Sequence, residues 1–163
     1  MMFNYGRKLL VFIFAIAIVA DVLSKSLVRA NMHVGDSFEV ISGLFNITYV
    51  LNSGVVFGIG ADGSGVIRYI YIVVAILVAA VLLLMLKKEY KTYKLRSIAY
   101  TLALAGALGN ITDRITLGSV VDFLDFYHGN LHWFAFNLAD AYITIAVGLL
   151  LIDTLKASNT EVA

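Results

Sequence analysis

Apolar and polar positions alternate along this chain in long blocks, and the blocks predict its elements. An unbroken apolar run from Leu9 to Ala20 follows Arg7 and Lys8, and closes on Asp21-Val22-Leu23-Ser24-Lys25. From Lys8 to Lys25 a helix rises about 25 Å, close to the ~30 Å hydrocarbon core of a bilayer. Asp21 and Lys25 stand at i, i+4, a helical pairing. A basic start and Ala15-Ile16-Ala17 imitate a cleaved signal peptide, but the run continues past them, which favours a retained span. The second run, Val66 to Leu86, is almost wholly aliphatic and ends on Lys87-Lys88. A third, from Leu95, closes on Gly109-Asn110-Ile111-Thr112-Asp113-Arg114. A fourth opens on Phe136-Asn137-Leu138-Ala139-Asp140. The pattern predicts an all-α membrane protein with four transmembrane helices, about 8–29, 66–86, 95–114 and 138–156.

Two stretches break the helical pattern. Phe38-Glu39-Val40-Ile41 and Phe45-Asn46-Ile47-Thr48-Tyr49-Val50 are β-prone and flank Ser42-Gly43, so a small outer β-segment is expected over about 36–60. It reads equally as a surface hairpin or as an edge that an extended peptide joins. Residues 117–136, polar and aromatic, read as an outer loop at the membrane interface. With no internal repeat, residues 1–163 form one domain.

Composition sharpens this picture. The 163 residues are 61% hydrophobic, well above the roughly 45–50% of a soluble domain. The formal net charge of +1 gives no reason to expect nucleic acid binding. Without cysteine, disulfides, thiolate metal sites and a Cys nucleophile are all excluded. His33, His128 and His132 lack metal-binding spacing, so neither a metal nor a cofactor is expected. The basic clusters at Arg7-Lys8, at Lys87–Arg96 and at Lys156 share one side of a four-span arrangement. The positive-inside rule makes that side cytoplasmic, with both termini. Asp21, Lys25, Asn52, Asn110, Asp113, Arg114, Asn137 and Asp140 then gather at the outer interface.

Carboxylates at membrane depth are costly and mark function. On a helix, Gly106, Asn110 and Asp113 share a face, which Ala99 and Ala103 continue as small side chains. A matching face, Ala141/Thr144/Gly148, lies on the fourth span, so the two helices are expected to pack closely. Asp113 and Asp140 would then meet and share one proton. One carboxylate activates water while the other polarises a carbonyl, which is aspartic protease chemistry. The competing structural account pairs Asp113 with Arg114 or Lys25 and makes Asp140 a helix cap. A Ser24-Lys25 dyad is disfavoured, because adjacent helical residues point about 100° apart. A proton or ion pathway, or an assembly subunit, is the rival class. A pathway needs polar residues along the whole span, and the inner halves of these spans are aliphatic.

At these residues the chain resembles the bacterial lipoprotein signal peptidases, signal peptidase II, over nearly its full length. The matching pieces are Asp21 and Lys25, Asn52-x-Gly54-x-x-Phe57-Gly58, Gly109-Asn110-x-x-Asp113-Arg114, Val121-Asp122-Phe123, and Phe136-Asn137-x-Ala139-Asp140. The resemblance implies an inner-membrane aspartyl endopeptidase that removes the signal peptide of a prolipoprotein immediately before a diacylglyceryl-modified cysteine. It implies Asp113 and Asp140 as the catalytic pair, and Asn52, Gly54, Asn110, Arg114 and Asn137 as substrate contacts or supports. Asp21 and Lys25 are implied as a supporting pair. The expected partners are lipid-modified prolipoproteins and membrane lipids, the protein acting as a monomer with its site near the outer leaflet. Val22, Val55, Val56, Ala135 and Ala141 depart from the usual pattern and bear on lipid and peptide contacts rather than on the reaction.

Overall fold

The computed structural model of the chain describes residues 3–54 and 66–161. Phe57 and Gly58, with Val55 and Val56, lie outside the described residues, as does the far end of the expected β-segment. In chain order the elements are α1 (Phe3–Asn31), β1 (Ser37–Ile41), β2 (Phe45–Asn52), α2 (Val66–Glu89), α3 (Lys94–Thr116), β3 (Val120–His128), β4 (Leu131–His132) and α4 (Leu138–Glu161).

Among the described residues, three helical stretches are long and apolar enough to cross a membrane: Gly6–Asn31, Val66–Glu89 and Leu138–Lys156. These belong to α1, α2 and α4. The remaining helix, α3, packs against all three of them. Its buried positions run from Ser97 to Asp113 and include Thr101, Gly106, Gly109 and Asn110. A helix enclosed by other helices can carry small and polar side chains that one facing lipid cannot. The reverse holds for α2, which has no fully buried residue and is nearly all aliphatic.

Close packing of α3 with α4 rests on missing side chains. A Cβ on Gly106 would collide with the Ala139 carbonyl, and one on Gly109 with the Asp21 carboxylate. The α3 face matches the expectation, since Ala99 and Ala103 form a core cluster with Ala146. The α4 face does not. Gly148 meets open space, and Thr144 is exposed, its hydroxyl turned back to the Asp140 carbonyl at 2.9 Å. The α4 residues that pack inward are Ala139, Ile143 and Ala146. Both sets follow the helical period, but they lie on opposite sides of the helix, and small or polar residue type does not say which side packs.

The segment read as an outer loop, 117–136, instead holds β3 and β4. Four antiparallel strands form a sheet in the order β1-β2-β3-β4. The β2–β3 register sets Val50 opposite Asp122 and Asn52 opposite Val120, with an irregularity between Ile47 and Val50. Side chains two apart on a strand share a face, so this register brings Asn52 diagonally beside Asp122. Val28 of α1 packs with Tyr49, Val121 and Phe123, which fastens the sheet to one end of the bundle. Asp125 steadies the outer strands by accepting from Asn46 at 3.0 Å and contacting His132 Nδ1 at 2.9 Å. At the opposite end Arg96 of α3 pairs with Asp153 and, at 3.9 Å, with Glu89.

Candidate functional site

The polar side chains expected at the site converge where α1, α3 and α4 meet the sheet. Lys25 is 3% exposed and lies 2.8 Å from Asp21 Oδ2 and 3.1 Å from Asp113 Oδ2. Its ammonium also donates to Asn110 Oδ1 at 3.2 Å. Asp21 in turn accepts the Ala139 amide at 3.0 Å, satisfying a first-turn donor of α4. The i, i+4 pair of α1 thus ties the start of α4 to the end of α3.

Asn137 and Asp140 open α4 as a reciprocal cap. Asn137 Oδ1 accepts the Asp140 amide at 3.1 Å, and Asp140 Oδ2 accepts the Asn137 amide at 3.3 Å. That is capping-box geometry built from Asn and Asp. The other Asp140 oxygen accepts Asn110 Nδ2 at 2.7 Å. Asn137 is fully buried, and its side-chain amide donates to Asn110 Oδ1 at 3.2 Å and to Asp122 Oδ1 at 2.7 Å. Asn110 therefore joins Lys25, Asn137 and Asp140, and Asn137 joins Asp122 to the rest.

Asp122 is the residue that sequence reasoning missed. It was visible within Val121-Asp122-Phe123 but carried no assigned role. Its carboxyl is 2% exposed and accepts Asn52 Nδ2 at 2.9 Å as well as the Asn137 amide. Burial, and after it the charge of Asp140, push the carboxyl up to about 6 against the opposing amide donors and Lys25. Asp122 and Asp140 thus feel each other's charge and share Asn137 as a common neighbour. Asp113 has different partners: Lys25 and the Val121 amide, the latter at 3.1 Å. The Asp113–Lys25 pairing and the capping role of Asp140 are both features of the structural account weighed from sequence.

The remaining candidates lie at the mouth of this network. Gly54 adopts φ +78°, and its carbonyl accepts the Tyr71 hydroxyl at 2.9 Å. A side chain there would strain the backbone and strike the Tyr71 ring, so only glycine fits. Asn52 Oδ1 accepts the Gly54 amide at 2.9 Å and so holds this turn beside Asp122. The Arg114 guanidinium lies 5.2 Å from the Tyr71 ring centre and donates to the Asn110 carbonyl at 3.4 Å. Its Nε is buried without a hydrogen-bond partner among the described residues. Tyr71 was hidden in a helix read as aliphatic scaffold, and only its tertiary contacts reveal it. Among the described residues, no group of three or more His, Cys, Asp or Glu side chains is arranged to hold a metal ion.

The fold and site define a helical membrane protein with a buried carboxylate–amide centre at one end of its bundle. Comparison with known proteins narrows the class. Residues 13–156 match the family described as signal peptidase (SPase) II. The lipoprotein signal peptidase of Actinobacillus succinogenes is 41% identical over 142 residues, covering 87% of this chain and 86% of that protein. That of Haemophilus influenzae strain Rd is 39% identical over 148 residues, covering 91% and 86%. A bacterial membrane enzyme solved in meso at 2.3 Å resolution superposes with a TM-score of 0.82 at 32% identity, covering 94% of this chain and 91% of that one. A second in meso structure, at 1.9 Å, gives 0.80 at 32% identity over 91% and 94%. The chain belongs to the signal peptidase II family and is a protease of lipoprotein processing.

Proposed function

We propose that this protein cleaves prolipoproteins immediately before a diacylglyceryl-modified cysteine, and that Asp122 and Asp140 are the catalytic pair. The observation that carries the pairing is the buried Asp122 carboxyl, raised to about 6 in part by the charge of Asp140 and hydrogen-bonded to the residue that caps Asp140. Asp113, the partner expected from sequence, is proposed instead as a support, because it is already ion-paired to Lys25.

Environment divides the roles. Two N–H donors aimed at Asp140, from Asn110 and from Asn137, suit a carboxylate acceptor. Asp140 takes a proton from a water, whose oxygen attacks the scissile carbonyl carbon. The protonated form of Asp122, held more readily because its carboxyl is raised to about 6, donates to the carbonyl oxygen. Collapse of the tetrahedral intermediate breaks the C–N bond, and the amide nitrogen leaves as an amine carrying a proton returned from the pair. The products are a signal peptide with a new carboxylate and a lipoprotein with a free amino terminus on its lipidated cysteine. The buried Nε of Arg114, which has no hydrogen-bond partner among the described residues, suits a substrate carbonyl near the cut. The lipid chains stay in hydrocarbon throughout, which avoids roughly 0.8 kcal/mol per CH₂ for transfer to water.

The same reading makes α3 a fourth span, since its polar positions are enclosed by the other three helices. It sets both termini and the basic α2–α3 connection in the cytoplasm, the site near the outer leaflet of the bacterial inner membrane, and the protein as a monomer. Cleavage rates of a lipidated precursor by Asp122→Asn, Asp140→Asn and Asp113→Asn test the pairing. The first two each lose several orders of magnitude while still folded, and their double is little worse than either alone. Asp113→Asn retains measurable turnover once its lower stability is allowed for. A folded, active Asp122→Asn would end the proposal.

A further inference from the structure

At the end of the bundle remote from the carboxylates, a cleft of about 450 Å³ opens between α1, α2 and α3. Leu10 and Phe14 of α1, Leu83 of α2 and Leu104 of α3 form its apolar walls. Arg7 and Lys87 stand on its lining at the helix ends. The volume lies within the roughly 300–1,000 Å³ range of small-molecule pockets. Leu83 is 43% exposed and Val11, also on the lining, 60% exposed, so the cleft opens on the flank of the bundle that lipid would cover. A further cleft on the neighbouring face of α1 shares Arg7 and Val11, so apolar surface lies on both sides of Arg7.

The chemistry of this cleft is amphipathic and of one sign. Glu89, the acid close to Lys87 in sequence, is engaged by Arg96 and by the Tyr100 hydroxyl. Among the described residues, neither Arg7 nor Lys87 has a carboxylate within ion-pair distance. Two cations with no carboxylate partner among the described residues, set over an apolar slot, complement a ligand with a hydrocarbon chain and an anionic head. A substrate signal peptide fits poorly, since such peptides begin with positive charge. Basic pockets between membrane helices hold anionic phospholipid head groups in this manner. We propose that this cleft binds an anionic phospholipid, one acyl chain lying between α1, α2 and α3 and its phosphate held by Arg7 and Lys87. The bound lipid would tie the first two helices together at the end where no strand joins them.

The test uses the full-length protein, purified in detergent and exchanged with phosphatidylglycerol or phosphatidylcholine of matched chains. Retention is read by native mass spectrometry and stabilisation by thermal melting. The expected result is retention of phosphatidylglycerol with a rise in melting temperature, and little of either with phosphatidylcholine. Arg7→Gln/Lys87→Gln should weaken phosphatidylglycerol binding roughly tenfold to thirtyfold, as removing two interfacial cations implies. Leu83→Trp keeps both charges and fills the slot, so it should also lose the lipid while cleaving precursor normally. Equal retention of the two lipids, or retention unchanged in both variants, would overturn the proposal. So would binding that follows the charges alone and survives Leu83→Trp.

Discussion

Replacing Asp122 with Asn should change stability in a direction that depends on pH. Asp122 carries a carboxyl raised from 3.8 to about 6 by burial and then by Asp140. A raised value in the folded state means that the folded chain holds this proton more tightly than the unfolded chain does. The stabilisation from that proton is therefore complete below about pH 4 and is lost as pH rises through about 6. By pH 7 ionisation has cost the folded chain roughly 3 kcal/mol, at 1.36 kcal/mol for each pKa unit. Asn cannot ionise, so the variant escapes that loss. It carries a separate cost, since Asn52 and Asn137 both present N–H donors to this side chain and one would face an amide donor. Neither neighbour turns freely, because each uses its own carbonyl oxygen to accept a backbone amide. That cost is about 1 kcal/mol and varies little with pH. The difference between variant and native melting temperatures should therefore swing towards the variant by about 6–12 °C between about pH 4 and about pH 7, taking 2–4 °C per kcal/mol. Thermal melts of both proteins in one detergent measure it, and titrating groups remote from Asp122 cancel in the comparison. Parallel curves would refute the reasoning and leave Asp122 an ordinary exposed-type acid. The cleavage assay on the same samples should show the variant inactive at every pH, including those where it is the more stable protein.

The other predictions follow from single contacts. Lys25→Met leaves Asp21 and Asp113 buried without their shared cation, so it should destabilise by about 3–5 kcal/mol. Adding Asp113→Asn should restore part of that loss in a thermal melt, and no recovery would deny the ion pair its importance. Gly109→Ala drives a methyl group into the Asp21 carboxylate and should cost about 1–3 kcal/mol. Gly148→Ala points into open space and should be neutral or stabilising by up to about 1 kcal/mol. Equal melting temperatures for the two glycine variants would contradict the packing of α3 on α4. Cysteines placed at Lys91 and Ser119 should label from opposite sides of the membrane, Ser119→Cys from outside in intact cells. Labelling of Lys91→Cys from outside would invert the topology.

Much of the fold was legible because lipid imposes a coarse, unmistakable pattern. The runs that became α1, α2 and α4 need no tertiary information, and β1 and β2 announced themselves by β-branched and aromatic residues around Ser42-Gly43. β3 was not legible. Its stretch Val120-Val121-Asp122-Phe123 is buried on both faces, so the period-two alternation that marks a half-exposed strand is absent. The packing face of α4 was not legible, because small residue type does not distinguish a contact face from an open one. Gly148 shows that a small side chain can equally face open space. The polar cluster itself was largely legible from spans and charges, which set Lys25, Asn110, Asn137 and Asp140 at one end. The proposed partner of Asp140 was not. Helical spacing makes Asp113 conspicuous on the face with Asn110, whereas Asp122 comes beside Asn137 only through the β2–β3 register and the attachment of Val121 and Phe123 to α1.

The division of labour among the buried acids has a physical logic in the placement of Lys25. A cation held tightly against both members of an aspartic pair would favour ionisation of both and remove the proton they must share. Here the ammonium contacts Asp21 and Asp113, and Asn110 stands between it and Asp140. Asn110 accepts from the lysine with its oxygen and donates to Asp140 with its nitrogen, so it passes on orientation through a neutral group. At Asp122 the attraction of Lys25 is the smallest of the influences, and burial outweighs it. Asp21 and Asp113 thus absorb the charge of the lysine that fixes α1 to α3 and α4, while Asp122 keeps a raised affinity for its proton beside Asp140. Moving the cation should be more damaging than deleting it. Lys25→Met combined with Asn110→Lys would set an ammonium directly against Asp140. The Asp122 carboxyl should then titrate below about 6, and the pH dependence of any remaining cleavage should move down with it. Carbon-13 labelled aspartate observed by NMR, in this variant and in the native protein, measures that shift. An Asp122 signal titrating at the same pH in both would show that charge at position 110 does not reach the pair.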